Sequence, residues 1–231
     1  MTARLRAAAL AAALAGVLAA TVAGPARATT APPAAGETTA TAATARAVPP
    51  REHICFSPDG TELNSFLGIT DRIVGPPDCR EAFSDETLYR SFPSWGTAQP
   101  RQAGDPPLLY PSDYTTSLPD DPMSDFRAKL LGVRIVQDIG TRRERTYSFG
   151  PEVLRRTSTD QASGFLFASF AAGPLDALSI GRHTSTVFMR LSAEHCDGLS
   201  TVREDSCLPA GEFPYTPVTR LQIFPPSAGR P

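Results

Sequence analysis

The residues best suited to catalysis or metal binding are three histidines, because an imidazole can act as acid, base or metal ligand near neutral pH. They are His53, His183 and His195. No two of them share the H-x-H or H-x-x-x-H spacing that places two ligands on one strand or helix face. The sequence therefore predicts no metal site. His183 is in phase with Val187, so we expect it to be a hydrogen-bonded core residue.

The tripeptide His195-Cys196-Asp197 contains the residue types of a thiol catalyst, in which a base activates a cysteine. Neighbouring residues on a strand point to opposite faces, so His195 is poorly placed to activate Cys196. A cysteine held in a disulfide is not a nucleophile either. We therefore expect no thiol catalysis from this tripeptide.

Other motifs that carry chemistry are missing from the sequence. It has no G-x-S-x-G nucleophile elbow and no G-x-G-x-x-G or phosphate-binding loop. Two carboxylates far apart in sequence would suffice for glycoside cleavage, but no particular pair is indicated. The sequence thus predicts no catalytic residue and no cofactor, and a secreted hydrolase with an unrecognised site is the alternative.

Four cysteines, an even number, predict a disulfide framework in an exported chain. Four cysteines allow three pairings, and we expect the local one, Cys55 with Cys79 and Cys196 with Cys207. Each of these pairs closes a short loop. The spacings do not match the C-x-x-C pairs of structural zinc sites.

The loop 197–206 lies between Cys196 and Cys207, and a disulfide at its base would order it before binding. It is the candidate binding loop of the sequence, with four charged residues: Asp197, Arg203, Glu204 and Asp205. It could recognise an extracellular partner or inhibit a protease. The alternative is a long hairpin that needs a covalent link for stability.

A group of aromatic residues is a second candidate for binding, because exposed rings stack on sugars and on protein partners. Its members are Tyr89, Phe92, Trp95, Tyr110 and Tyr114. Large aromatic side chains also dominate protein cores, and packing is the role that we expect for these five.

The elements that would position these residues begin with a short helix near residues 122–130. Asp121 can cap its free N–H groups, and Pro122 suits the first helical position. Asp125 and Lys129 can pair across one turn. Three apolar residues follow at helical spacing: Met123, Phe126 and Leu130. The acidic start is expected to cap the helix rather than to bind calcium.

After this helix, apolar residues recur at every second position, which is the period of a strand with one buried face. In residues 131–139 this places four residues on the buried side: Leu131, Val133, Ile135 and Ile139. The stretch 164–172 is apolar on both faces and is expected to be a central strand or a buried helical turn. Further alternating stretches are 146–149, 183–192 and 221–223. The pattern predicts a mainly β fold, an antiparallel β-sandwich with long proline-rich loops.

The stretch 175–184, Leu-Asp-Ala-Leu-Ser-Ile-Gly-Arg-His-Thr, resembles the passage from loop to strand in bacterial immunoglobulin-like domains. In those domains a G-x-H-T start often opens one of the last strands. The resemblance covers ten residues, implies an immunoglobulin-like sandwich and brings no catalytic residue with it.

Residues 1–28 have the pattern of a bacterial-type signal peptide. Arg4 and Arg6 precede an apolar stretch at 7–23, and an A-x-A site predicts cleavage after Ala28. The stretch is rich in alanine and short for a membrane span. We therefore expect a secreted protein that follows the general secretory route.

Residues 29–50 are rich in alanine, threonine and proline and cannot form a packed core, which predicts a disordered tether. The composition changes at residue 51. Residues 51–231 are expected to form a single disulfide-containing β domain, in which 51–95 could be a small lobe.

The charge of the chain limits its partners. Removing residues 1–28 leaves 19 basic against 24 acidic side chains, without a basic cluster. This argues against nucleic acid and against an anionic membrane surface, and no later segment is apolar enough for stable insertion. The sequence predicts a secreted, non-enzymatic binding module of the cell envelope or extracellular space, with an extracellular protein or glycan as its partner.

Overall fold

Strand-forming sequence dominates the chain, and the computed structural model, which describes residues 54–226, is mainly β. The strands are β1 (Arg72–Val74), β2 (Glu81–Phe83), β3 (Leu88–Thr97), β4 (Leu130–Gln137), β5 (Arg145–Phe149), β6 (Leu154–Thr159), β7 (Leu166–Leu175), β8 (Gly181–Leu191), β9 (His195–Cys196), β10 (Cys207–Leu208), β11 (Gly211–Pro214) and β12 (Thr219–Phe224). The α-helices are α1 (Leu63–Leu67), α2 (Pro122–Lys129) and α3 (Arg203–Ser206). The predicted signal peptide, the tether and His53 lie outside the described residues.

Two sheets contain most of these strands. Sheet I has the order β1-β3-β7-β6, and sheet II has the order β2-β12-β8-β4-β5, with β11 also paired to β8. Neighbouring strands are antiparallel except that β1 is parallel to β3 and β2 is parallel to β12. Residues 72–83 therefore add an edge strand to each sheet. β7, expected as a central strand or a helical turn, is a strand between β3 and β6.

Both sheets contribute side chains to one apolar core, because each strand turns alternate residues inward. Phe92 and Phe170 of sheet I stack with their ring centroids 5.1 Å apart. Val133 and Val187 of sheet II belong to the same buried cluster. Helix α2 adds Phe126, which is fully buried.

Helix α2 agrees with its prediction because its local signals act as expected. The Asp121 carboxylate accepts a hydrogen bond of 3.0 Å from the backbone N–H of Ser124. Pro122 begins the helix, and Lys129 pairs with Asp125 at 2.8 Å. The sequence did not predict the short helices α1 and α3.

The inward placement of Leu131 and Ile139 is wrong, since these side chains are 51% and 41% exposed. A bulge at Gly132, with a φ of +119°, interrupts the pairing of β4 with β8. The bulge shifts the alternation, so Leu130 is buried instead of Leu131. Ile139 lies beyond the end of β4.

Both disulfides have the expected local pairing. Cys55 is bonded to Cys79, and a second small core of apolar residues surrounds this bond. Cys196 is bonded to Cys207 across the two-stranded ribbon of β9 and β10. Two disulfides fit an extracellular protein, because thiols in the cytosol stay reduced.

Candidate functional site

A groove of about 1040 Å³ lies beside strand β3. Its walls are formed by residues of three segments, 57–67, 75–80 and 216–219, and by strands β3, β6 and β7. The disulfide between Cys55 and Cys79 ties the first two segments together. A space of this size can hold a small-molecule ligand.

The groove surface combines aromatic rings with hydroxyl groups. Its phenylalanines are Phe66, Phe92, Phe167 and Phe170. Its hydroxyl-bearing residues include Ser91, Ser94, Ser158, Ser169, Thr216 and Thr219. Such a surface suits a ligand with an apolar body and a few polar groups.

Arg90 gives the groove a buried positive charge. Its guanidinium donates hydrogen bonds to the Ser91 carbonyl oxygen and, at 2.8 Å, to Thr219 Oγ1, while its Nε has no partner. The residue is 2% exposed, and no carboxylate within residues 54–226 forms an ion pair with it. Burial lowers the pKa of Arg90 to about 10, with a smaller contribution from the charge of Arg80.

Two carboxylates also line the groove, but both are held by their own turns. Asp59 accepts hydrogen bonds from the Ser57 hydroxyl and, at 3.1 Å, from the Thr61 N–H. Asp160 accepts from the Ser163 N–H at 3.0 Å. The hydrogen bonds from Ser57 and from Ser163 are the main reasons why the pKa values of Asp59 and Asp160 are lowered. Neither carboxylate pairs with Arg90.

The loop 197–206 is packed against the long loop 98–121, which precedes α2, rather than projecting as a free tip. The backbone oxygen of Asp197 accepts from Ala98 N at 2.9 Å, and that of Gly198 accepts from Leu109 N at 3.0 Å. Helix α3 occupies the end of the loop.

The four candidate residues of this loop lie in different environments. Asp197 is buried, and this burial raises the pKa of its carboxyl. Arg203 is held in ion pairs with Glu194 and Asp113. Glu204 and Asp205 are exposed. The loop therefore offers an acidic surface at α3, and its role in recognition stays a prediction.

Ser179, His183 and Asp138 meet where the loop between β7 and β8 reaches the end of β4. His183 is buried, and its Nδ1 lies 2.7 Å from Asp138 Oδ2. The other oxygen of Asp138 accepts from the backbone N–H of Thr184 at 2.9 Å. Sequence reasoning placed His183 in the core but gave no signal for Asp138, because the strand pairing that joins them is long-range.

These contacts hold the loop between β7 and β8 and do not prepare a nucleophile. His183 Nε2 is 2.8 Å from the backbone oxygen of Ser179, which can only accept, and 3.3 Å from its Oγ. The ring nitrogen thus donates its proton to the carbonyl, and a protonated nitrogen cannot take a proton from the hydroxyl. A cavity of about 320 Å³ next to this cluster is bordered by Arg142, Arg143 and Arg145.

His195 belongs to a second buried cluster, centred on the carboxylate of Asp125. His195 Nδ1, Lys129 Nζ and the Tyr114 hydroxyl each donate to Asp125 at 2.8 Å, and the Thr116 hydroxyl donates as well. The cluster joins the long loop 98–121 to strand β9. Cys196 is disulfide-bonded to Cys207, as the predicted local pairing has it.

The aromatic group does not form one surface. Phe92 packs in the core and also lines the groove. Trp95 lies edge-on to the ring of His195, and Tyr110 stacks on Tyr114 with centroids 5.2 Å apart. Tyr89 packs beside the core around the first disulfide.

Within residues 54–226, no group of three or more metal-ligating side chains is close enough to hold an ion. No helix of this part of the chain is long and apolar enough to cross a membrane. Comparisons with family models, with curated proteins and with solved structures give no match. The case for a function therefore rests on the geometry of the groove and of the two buried histidine clusters.

Proposed function

We propose that this chain is an exported, non-enzymatic binding module of the cell envelope or extracellular space, and that the groove beside β3 is its ligand site. The observation that carries the proposal is the groove itself, an aromatic-lined space of about 1040 Å³ with a buried cation. The signal-peptide pattern and the two disulfides support export.

The dimensions of the groove favour a small ligand. Its volume is close to the upper end for small-molecule sites, and its aromatic lining would remove a ligand's apolar body from water. The extracellular protein or glycan expected from the sequence stays a prediction. An immunoglobulin-like sandwich also stays a proposal: two sheets share one core, and the parallel strands β1 and β2 are additions to that pattern.

The test uses phenylnaphthylamine, an uncharged dye whose fluorescence increases in an apolar site. We expect it to bind the full exported chain, and Ser94→Trp to reduce its affinity at least about tenfold, since Ser94 is exposed and lines the groove. Ser148→Trp is the matched control, because Ser148 is an exposed strand residue on β5, away from the groove.

Two results would contradict the proposal. One is a wild-type protein that does not bind the dye. The other is a Ser94→Trp variant that is folded, as judged by cooperative urea unfolding, and binds the dye as well as Ser148→Trp does.

A hydrolase is the second candidate, favoured by the contact between Ser179 Oγ and His183 Nε2 at 3.3 Å. The hydrogen bond from His183 to the Ser179 backbone oxygen opposes this function. A fluorophosphonate probe labels activated serines, and we expect no labelling of the wild-type protein. Labelling that disappears in Ser179→Ala would establish an activated serine at this position and refute the non-enzymatic proposal.

A further inference from the structure

Arg90 has more hydrogen-bonding capacity than the described part of the chain uses. A guanidinium carries five N–H donors. Here the acceptors are the Ser91 carbonyl oxygen and Thr219 Oγ1, and Nε has none. Both acceptors are uncharged, so within residues 54–226 no anion balances the charge. An unbalanced buried charge is unfavourable, and buried cations are normally paired.

A second arginine lines the same groove. Arg80 is exposed, lies in the wall segment 75–80, and its charge acts on Arg90. Two cations that repel each other across a partly apolar space would both be stabilised by one anion between them. The groove carboxylates Asp59 and Asp160 do not supply it, since each is bonded within its own turn.

The guanidinium is also held in place by the backbone around it. Gly75 has a φ of +131°, and a Cβ at this position would lie 1.5 Å from Arg90 Nη1. A residue other than glycine would therefore push the guanidinium away. The hydrogen bonds to the Ser91 oxygen and Thr219 Oγ1 fix the planar group before any ligand arrives, and such fixed geometry favours binding of a carboxylate, phosphate or sulfonate.

We propose that Arg90 is the counter-ion for one anionic headgroup and that the groove binds small amphiphilic anions. The ligand has an aromatic or acyl body against the phenylalanines and a single carboxylate, phosphate or sulfonate group at Arg90. Arg90 is only 2% exposed, so its guanidinium can contact no more than one headgroup at a time. This inference rests on the proposed function, since it names the ligand class of the same groove.

The experiment compares two dyes with the same skeleton, the uncharged phenylnaphthylamine and its anionic relative anilinonaphthalene sulfonate. We expect the wild-type protein to bind the sulfonate at least about tenfold more tightly, the effect of one charge-assisted hydrogen bond. Arg90→Met should abolish this preference, measured as the ratio of the two dye affinities in the same protein. Arg127→Gln is the control, because it removes an equal charge from the exposed face of α2.

The outcomes separate the two proposals. If neither dye binds, the groove is not a ligand site and the proposed function fails. If both dyes bind equally, or if Arg90→Met keeps the preference for the sulfonate, the role of Arg90 is refuted. The proposal that the groove is a ligand site is then unaffected.

A second comparison tests the proposal without Arg90→Met, in case this variant does not fold. Dodecanoate and dodecanol are allowed to displace phenylnaphthylamine from the wild-type chain and from Arg80→Gln, whose substituted residue is exposed. We expect the wild-type chain to prefer the carboxylate at least about tenfold, and Arg80→Gln to weaken this preference partially. Equal displacement by the acid and the alcohol in the wild-type chain would overturn the proposal without any variant.

Discussion

Among individual residues, Asp125 is the centre of a buried polar cluster. It is buried in helix α2 and accepts hydrogen bonds from four side chains. Burial alone would raise its pKa, but the bonds, above all that from His195, hold the pKa below the usual range. The carboxylate is therefore expected to stabilise the fold at neutral pH.

Removing this carboxylate should destabilise the protein strongly. Asp125→Ala leaves the half-buried ammonium of Lys129 without its carboxylate partner, and we expect a cost at the lower end of that for breaking a buried ion pair, about 3 kcal/mol. Urea unfolding at pH 7 measures the change. Asp120→Ala is the control: Asp120 pairs with Arg101 at the surface, so its loss should change stability by less than about 1 kcal/mol. Equal effects would show that the cluster is not a stabilising centre.

The same cluster predicts a loss of stability in mild acid. Burial lowers the pKa of His195, although the hydrogen bond to Asp125 opposes the shift. The unfolded chain therefore binds this proton more readily, so stability is full above the ordinary histidine pKa of about 6.5 and falls as the pH decreases below it. His195→Asn, which keeps a donor for Asp125, should lose less stability than the wild type between pH 7 and pH 5 in urea unfolding. His183 is common to both proteins, so a parallel decline would contradict the role of residue 195.

The unusual position of Arg90 was visible in the sequence, but its partner was not. It alternates with Leu88 and Phe92, so an arginine stands where the strand pattern calls for an inward apolar residue. That signal was available in the sequence and marks Arg90 as a residue of interest. Its hydrogen bond to Thr219 was not predictable, because it joins strands 129 residues apart in sequence.

Within the secondary structure, the bulge in β4 shows how one glycine redirects a strand. Gly132 has a positive φ, and a Cβ there would lie 2.0 Å from the Phe149 carbonyl oxygen of the neighbouring strand β5. Gly132→Ala should therefore lose at least about 2 kcal/mol, from conformational strain and from the clash together.

The matched control for the bulge is Gly140→Ala. Gly140 also has a positive φ, but open space surrounds its missing Cβ. It should lose only the conformational cost, about 1–2 kcal/mol. Urea unfolding of both variants gives the comparison, and a Gly132→Ala protein no less stable than Gly140→Ala would contradict the account of the bulge.

Elements with local signals were predictable, and those set by distant contacts were not. Asp121 and Pro122 identified α2 because capping acts within one turn. The alternation in β8 is also a local signal, and it placed Val187 inward. The predicted burial of Leu131 was wrong because the bulge in β4 depends on the pairing with β8. The sequence of a single strand does not encode this pairing.

Across the domain, the two disulfides act on different regions. Cys55–Cys79 ties together two walls of the groove, whereas Cys196–Cys207 closes the loop that contains α3. Replacing Cys55 and Cys79 together by serine should release the wall 57–67 and lower the dye affinity at least about tenfold.

The second disulfide provides the comparison. Replacing Cys196 and Cys207 by serine should cost about 3 kcal/mol of stability, from the loop-closure entropy of the unfolded chain, and leave the dye affinity within about twofold. Dye titration at low temperature, with urea unfolding as the check on folding, distinguishes the pairs. An unchanged affinity after loss of Cys55–Cys79 would show that the wall does not need its disulfide.

The arrangement of the sheets, and with it the groove, lay beyond the sequence. Alternation indicated strands and a buried face, but not which strands are neighbours. The groove walls come from segments as distant as 57–67 and 216–219, and no local pattern records that these segments meet. The two disulfide pairings were accessible because each closes a short loop, with sequence separations of 24 and 11 residues.

The pairing of β2 with β12 joins Ala82 to Ile223, near the two ends of the described chain. A polypeptide emerges from the ribosome, or from a translocation channel, with its N-terminal end first. Strand β2 must therefore wait for the last strand before it has a partner, and sheet II cannot be completed on a partly emerged chain. The topology therefore delays the completion of sheet II until nearly the whole domain has emerged.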